Sequence, residues 1–477
     1  MAFRPMSLLR LHSSLASARI SGTPQTRRAG RKLSSRERGV LSPLVSRLAE
    51  RKATPLSLSN MYKYALPPSA PGSVNPHDST QRIRNAEFLH RELPIRLAKR
   101  ASDLSSLPFG LASTAPLLAA CETYEKYCRD LQELPAPKDE FSEGMFTDFL
   151  RGLVMDRLNI PGKVQRGIAS LKDARRTPLT SVELEQLDDA LYDFFLGRVG
   201  LRFLVEHHIA CDPRSKGSLA EPGGTPGGLI KKDLNPVLEC KDVAREIEEV
   251  LAEKFDVSPR IEVVGMVTDV DQDEVIDERT GRKVKYFKRH PASICHVPSH
   301  LRYMVSELLM NACQATIRAH QRDRTSALSL ADLPTVKCVV VFGKEDVSIR
   351  ISDEGGGIHR RKLDNVWTFA HSTLAKDEVV EELCPTGIYA RANKGEGNNY
   401  VRGFGLPLAR IYARYFGGEL TIKSMEGHGV DAYLYLPVLG NECENLSEAV
   451  ENSPGNLASS HAAPGDTWSD LLAQRAL

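Results

Sequence analysis

The apolar residues of this chain change their spacing once, and that change limits the folds open to it. From residue 84 to residue 208 they recur at three- and four-residue intervals, and beyond residue 261 they mostly alternate. Helices bury a stripe of period 3.6 and strands a face of period 2. A helical unit is therefore followed by a mixed one. Arg84 to Asp103 places Phe88, Leu89, Leu93, Leu97 and Ala101 near one face, with Pro94 interrupting the pattern. The same periodicity returns over Pro116–Leu131, Phe146–Leu158 and Leu184–His208. Four long helices with polar connections predict an up-and-down four-helix bundle. Residues 212–228, DPRSKGSLAEPGGTPGG, read as a loop, because their Gly and Pro content resists regular structure. A further helix is expected over Cys240–Phe255.

In the second half, Ile261–Val267 and Lys285–Lys288 suit strands around a charged insert, and Ser299 to His320 forms an amphipathic helix. Lys337–Phe342 and Val347–Ser352 are β-branched segments joined by Gly343–Asp346, a hairpin signal. Leu406 to Phe416 has Pro407 near its first turn and Gly417-Gly418 behind it, both favoured helix positions. Glu419–Ser424 and Val430–Leu436 form a second hairpin around Gly427 and Gly429. The fold class is α+β. Asp269, Asp271 and Asp273 imitate the start of a calcium loop, but Glu274 stands sixth and Thr280 twelfth, where that loop needs Gly and Glu. They read as a solvated hairpin tip.

A chain of 477 residues has room for two domains and flexible ends. A net charge of +2 gives no sign of a nucleic-acid partner, and no run of eighteen apolar residues suggests a membrane span. The nine cysteines are dispersed without a C-x-x-C pair, which fits a reducing compartment better than a disulfide framework or a zinc site. From Met1 to Arg36 there is no acidic residue, and Arg4, Arg10, Arg19, Arg27, Arg28, Arg31 and Arg36 are interspersed with serines and with Leu8, Leu9, Leu11 and Leu15. That is the composition of a mitochondrial transit peptide. Pro67, Pro68, Pro71 and Pro76 mark a linker after it. The expected division is 1–80 transit peptide and disordered linker, 81–235 helical bundle, 236–440 nucleotide-binding domain and 441–477 polar tail.

Three short stretches carry the chemistry. In SELLMNACQAT, Ser306 to Thr316, Glu307 and Asn311 stand four apart and project from one helix face, with Leu308, Ala312 and Ala315 assigned to the packing face. The Asn311 carboxamide can join the shell of a phosphate-held Mg2+, and Glu307 can orient or deprotonate a nucleophile. Taken alone, a Glu and an Asn at this spacing are more often just solvated. In ISDEGGGI, Ile351 to Ile358, Asp353 ends a strand. It can accept from an adenine amino group while Gly355, Gly356 and Gly357 let the backbone come close; an Asp-Gly turn is the bland alternative. In VRGFGLPLARIYARYFGG, Val401 to Gly418, Gly403 and Gly405 lead into a helix whose first amides suit phosphate oxygens. Ala375 to Tyr400, polar and glycine-containing, reads as a mobile lid.

Taken in this order, the three stretches resemble the GHKL superfamily of histidine kinases, Hsp90, DNA gyrase and MutL. More closely, the chain resembles the mitochondrial 2-oxo-acid dehydrogenase kinases, which comprise the pyruvate dehydrogenase kinases and the branched-chain enzyme. FLHRELPIRLAKR (Phe88 to Arg100), SLPF (Ser106 to Phe109), GRVGLRFLVEHH (Gly197 to His208), HST (His371 to Thr373) and GLPLARIYARYFGGEL (Gly405 to Leu420) carry that likeness over roughly Arg84 to Pro437. The resemblance implies a helical bundle followed by a Bergerat α/β sandwich, with ATP and Mg2+ bound in the sandwich. It implies phosphorylation of serines on the decarboxylase component of a dehydrogenase complex, docking on a lipoyl domain of the acyltransferase core, a homodimer and the mitochondrial matrix. By position, Asn311 would hold the magnesium and Asp353 the adenine. Gln314, Gly355, Gly357, Ser372, Thr373, Arg402, Gly403, Phe404, Gly405 and Leu406 would line the nucleotide, and Glu307 would assist removal of the serine proton. His207 and His208 read as structural rather than as phosphate carriers.

Four positions depart from the family pattern. Met310 stands where a lysine is usual, Gln314 where an arginine is frequent, Val401 at the first glycine of the glycine loop, and Val430 at a threonine. Arg402 can supply a replacement charge. These losses motivate the rival reading of an ATP-binding scaffold without phosphotransfer. A two-component histidine kinase lacks its autophosphorylation helix here. IYARYFGGEL leans towards the pyruvate dehydrogenase kinases, SLPF and the EHH triplet towards the branched-chain enzyme, and pyruvate dehydrogenase is placed first as substrate.

Overall fold

The structure, a computed structural model, describes residues 41–65, 80–156, 159–175, 177–212, 214, 228–267, 273–276, 283–286, 293–322, 333–369 and 403–444. Two short helices, α1 (Pro43–Ala49) and α2 (Leu58–Ala65), precede five long ones: α3 (Thr80–Ser105), α4 (Ala115–Glu133), α5 (Glu140–Asp156), α6 (Ile160–Ala174) and α7 (Ser181–Ala210). The bundle thus has five long helices where four were expected. The addition is α6, whose Ile160, Val164, Ile168 and Leu171 recur at helical spacing and are all buried. Pro161 sits in its first turn, where a missing N–H matters least. Pro94 does not break α3, which runs on through it with Leu93, Leu97 and Ala98 fully buried; tertiary packing outweighs one lost backbone bond.

Helix α7 is the spine of the molecule. It starts in a capping box: Glu183 N–H donates to Thr180 Oγ1 at 3.3 Å, and Thr180 N–H donates to Glu183 Oε2 at 2.8 Å. From Phe194 to Ile209 it is buried on nearly every side, between α3 and α5 of the bundle and α10 (Gly405–Tyr415) of the second domain. A glycine inside a helix costs about 0.5–1 kcal/mol relative to alanine. Gly200 has a reason to be there, since a Cβ on it would lie 1.9 Å from the Tyr415 hydroxyl oxygen.

The second domain is a five-stranded sheet covered by helices. Its strands are β2 (Ile261–Val267), β6 (Val336–Phe342), β7 (Asp346–Ser352), β8 (Glu419–Met425) and β9 (Gly429–Pro437), in the order β2-β6-β7-β9-β8, with only β2–β6 parallel. Val336, Cys338, Val340 and Phe342 alternate inward with Val347, Ile349 and Ile351 of β7. Helices α8 (Pro236–Phe255), α9 (Pro298–Arg322) and α10 pack against this sheet. The charged insert is itself a hairpin, β3 (Asp273–Ile276) with β4 (Lys283–Tyr286); Asp269 and Asp271 lie outside the described residues. A small pair, β1 (Lys231–Leu234) with β5 (Ile294–His296), was not anticipated.

Both outer segments fold further than the sequence suggested. Residues 41–65 fall inside the stretch expected to be linker, yet Val45, Leu56, Leu58 and Met61 are buried. The chain beyond Pro437 was expected to be a polar tail, yet Val438 and Glu444 are buried and Cys443 bridges to Ser57. Glu444 explains this. Arg96 Nη2 meets Glu444 Oε1 at 2.6 Å, Leu56 N–H donates to the same oxygen at 3.0 Å, and the Tyr415 hydroxyl donates to Oε2. Arg96 Nε also donates to Glu92 Oε1 at 3.0 Å, and Thr54 N–H donates to that oxygen at 2.8 Å. A buried ion pair keeps its value only while each charge has its partners.

Two predictions follow from this core. Arg96→Ala strands the Glu444 carboxylate and should destabilise the fold by about 3–5 kcal/mol, read as a drop of several degrees in the thermal midpoint. A midpoint within one degree of the parent would contradict the assignment. Burial also pushes His207 and His296 down to about 4 and holds His300 well below its ordinary value. The unfolded chain therefore takes up protons near pH 6.5 that the folded one refuses until about pH 4. Stability should fall as pH drops through that window, so the midpoint at pH 5 should lie below that at pH 7.5, and His207→Gln should lessen the difference.

Candidate functional site

The site is built on α9, which turns two faces to different surroundings. Leu308, Leu309 and Met310 are buried, whereas Asn311 is exposed one residue later. Glu307, one turn before Asn311, is only 3% exposed, so it sits at the floor of this face rather than on an open surface. Ala315 belongs to the Asn311 face and not to the packing face: it stands one turn beyond Asn311 and meets the glycine run after β7. A Cβ on Gly355 would lie 2.5 Å from the Ala315 Cβ and 2.7 Å from its carbonyl carbon. Only a glycine lets that loop lie flat against the helix, and the contact brings the Asp353 segment to the Asn311 face.

Asp353 is held by backbone on two sides. Its Oδ1 accepts from Gly355 N–H at 2.8 Å and from Val430 N–H at 3.3 Å. Its own N–H donates to the Val430 carbonyl at 3.0 Å. Burial pushes its carboxyl above the usual carboxylate range, against the downward pull of those two N–H groups. Oδ2 remains to accept from a ligand amino group. The loop is laced to the β8–β9 turn: Gly356 N–H donates to His428 O at 3.0 Å, Gly427 N–H to Gly356 O at 2.9 Å, and Ile358 N–H to Ser424 Oγ at 2.6 Å. Gly357, with φ of 72°, lies in the loop after β7, where a Cβ would come within 2.3 Å of the Met425 carbonyl oxygen.

The third stretch reaches α9 through α10. Tyr412 packs at a tilt against Tyr303, 5.0 Å between ring centroids, and edge-on against His300 at 4.7 Å. Gly403 precedes the helix at φ 79°, Phe404 caps it without a side-chain bond, and Gly405 and Leu406 open it. The amides of a first helical turn have no acceptor within the helix. Phe404 differs from the expectation in one respect. The whole residue is 1% exposed and its ring packs on Phe195 and Phe369, so the amides left for a phosphate are those of the half-buried Gly405 and Leu406. Ser372, Thr373, Val401, Arg402 and the segment Ala375 to Tyr400 lie outside the described residues.

Gln314 is half-buried, and its Oε1 accepts from Arg318 Nη2 at 3.2 Å, which brings a guanidinium within one turn of the position where an arginine was missed. Among the described residues no group of three or more His, Cys, Asp or Glu could hold a metal by itself. A single neutral carboxamide such as Asn311 suits a magnesium that arrives on phosphates. His207 and His208 serve packing: His207 Nδ1 accepts from Leu229 N–H at 3.3 Å, and His208 Nε2 lies 3.2 Å from Glu143 Oε1, both in the buried bundle. A cavity of about 890 Å3 elsewhere, between the start of α7 and α10, includes Tyr192, Trp367 and Arg410 but none of Glu307, Asn311 and Asp353. Sequence reasoning missed the Val430 amide, Ser424 and Ala315. Only Ala315, at helical spacing from Asn311, left a signal that could have found it.

Known proteins resemble this chain in sequence. Residues 55–227 match the family described as mitochondrial branched-chain alpha-ketoacid dehydrogenase kinase, and residues 296–440 match the histidine kinase-, DNA gyrase B- and HSP90-like ATPase family. The chain is 31% identical over 364 residues to the mitochondrial [pyruvate dehydrogenase (acetyl-transferring)] kinase of Arabidopsis thaliana, covering 76% of this chain and 87% of that one. It is 29% identical over 410 residues to isozyme 4 of the same kinase from Homo sapiens, covering 85% and 86%. It is 26% identical over 395 residues to the mitochondrial kinase of that name from Drosophila melanogaster, covering 81% and 84%. The match to the ATPase family makes the second domain an ATP-binding one.

Asp353→Asn keeps an oxygen for Gly355 and Val430 but turns an N–H2 towards the ligand. ATP affinity should fall at least tenfold, consistent with about 1.5–3 kcal/mol for a hydrogen bond to a charged group. Calorimetric titration reads it, and unchanged affinity would remove Asp353 from the site.

Proposed function

The chain belongs to the mitochondrial 2-oxo-acid dehydrogenase kinase family, and from that membership we propose an ATP-dependent protein serine kinase acting on the decarboxylase component of a dehydrogenase complex. The observation that supports the reading is the Gly355–Ala315 contact, which brings the loop of the half-buried Asp353 to the helix face that carries the exposed Asn311. Asp353 accepts from the adenine amino group through Oδ2. Asn311 would hold magnesium through its side-chain oxygen, and the first amides of α10 would receive phosphate oxygens. Magnesium, when bound, neutralises phosphate charge. Glu307 takes the proton of the substrate serine as its Oγ bonds to the γ-phosphorus and the bond to the β–γ bridging oxygen breaks, releasing ADP.

Pyruvate dehydrogenase is proposed as the substrate complex, supported by relatives named for that activity. The branched-chain dehydrogenase is the alternative, supported by the family matched over 55–227. With this reading go a mitochondrial matrix location, docking of a lipoyl domain on the helical bundle, a homodimer, a lid over Ala375 to Tyr400 with Ser372, Thr373 and Arg402 beside the nucleotide, and domains divided near residues 235 and 440. Among the described residues no helix is long and apolar enough to cross a membrane.

A second reading, ATP binding without phosphotransfer, is favoured by Met310: it is 7% exposed, so the position where the family carries lysine is spent on the core. One experiment separates the two. The purified full-length chain is incubated with labelled ATP and each decarboxylase component side by side. Incorporation into the pyruvate enzyme is the expected result, and faster incorporation into the branched-chain enzyme would reverse the substrate order. ATP binding without incorporation into either would establish the scaffold reading.

A further inference from the structure

We propose that Phe195, a residue of the helical bundle, is a positioning residue for the nucleotide in the second domain. This rests on the ATP site assigned above. Phe404 occupies the cap position of α10, between Gly403 and Gly405, which have no side chains with which to fix that turn. Its ring lies against Phe195 at 5.6 Å in an edge-on contact and against Phe369 at 5.1 Å. Phe369 in turn stacks on Phe195 at 4.9 Å with 22° between planes, and its N–H donates to Asp188 Oδ1 at 2.8 Å, about two turns earlier on α7. All three rings are buried. The bundle therefore grips both described ends that flank residues 370–402, and one α7 side chain touches both.

The rest of α10 is anchored without Phe195. Arg410 lies 4.4 Å over the Trp367 ring, Tyr412 packs at a tilt against Tyr303, Arg414 pairs with Glu419 at 2.6 Å, and Tyr415 donates to Glu444. Trimming Phe195 thus loosens the amide-bearing end of α10 while the helix body stays in place. Ring-edge contacts also fix orientation in a way that an aliphatic side chain cannot. The specific consequence is weaker nucleotide binding beyond any loss of stability. Because α7 is continuous from the bundle core to Phe195, a shift of α7 also moves the phosphate end of the site.

The test compares Phe195→Leu with Phe146→Leu in the full-length chain. Phe146 is equally buried, but its ring partners are His90 and His208 inside the bundle. Thermal midpoint and the dissociation constant for ATP with magnesium are measured for each. Both variants should lose stability. Phe195→Leu should weaken ATP binding at least fivefold, and Phe146→Leu should stay within twofold of the parent. Equal weakening in both, or none in Phe195→Leu, overturns the proposal. Should Phe195→Leu not fold, Phe369→Leu removes the same stack from the other side, with the same two outcomes. A parent chain that binds ATP but transfers no phosphate defeats the kinase reading and leaves this comparison decisive. A parent that binds no ATP defeats both.

Discussion

The structure depends on a hydroxyl passing over a glycine. Tyr415, the last residue of α10, crosses α7 at Gly200 and donates to Glu444, which Arg96 of α3 neutralises. Four parts of the chain that are far apart in sequence meet there: residues 54–57, the bundle, the glycine-started helix and the segment after β9. The charges are fully enclosed, so neither can lose its partner to water. The two domains are consequently packed through one shared helix, which makes the bundle part of the support of the proposed nucleotide site.

Much of this was legible because it follows from local rules. Strands β6 and β7 and their turn, α9, and the β8–β9 hairpin lie within a residue or two of the expected positions, since alternation and turn residues specify them without help from elsewhere. What was not legible depends on distant partners. Pro94 looked like a break, but burial of α3 along most of its length overrides one missing bond. Residues 41–65 read as linker because they lie between an arginine-rich leader and the Pro67–Pro76 run, although Leu41, Leu44, Val45 and Leu48 stand at helical spacing; they fold because Leu56 and Met61 find a surface and Glu92 and Glu444 find their backbone donors.

The candidate site divides along the same line. Glu307, Asn311 and Asp353 could be named from residue type and spacing, because chemistry restricts which side chains do such work. The Val430 amide could not, since a backbone donor has no signature in the sequence. Phe404 was named for its place in a glycine motif, yet its ring belongs to an aromatic cluster that closes only when residues 195, 369 and 404 come together. A motif records where the backbone must go and leaves the direction of each side chain to its neighbours.

The departures from the family pattern take on different weights in this light. At residue 430 the bond to Asp353 comes from the main chain, so a valine keeps it and only the hydroxyl is lost. At residue 314 the glutamine accepts from Arg318, so positive charge stays on the same helix one turn along. Met310 is the substitution with consequence, because a buried apolar side chain cannot return to the phosphates as a lysine's long stem can. In the proposed site, phosphate charge would then fall more heavily on the first amides of α10. Their value rests on being preorganised where the charge will be, and with glycines on both sides of Phe404 that placement depends on its ring contacts. The poorer the site is in lysine and arginine, the more it depends on the bundle holding that helix end still.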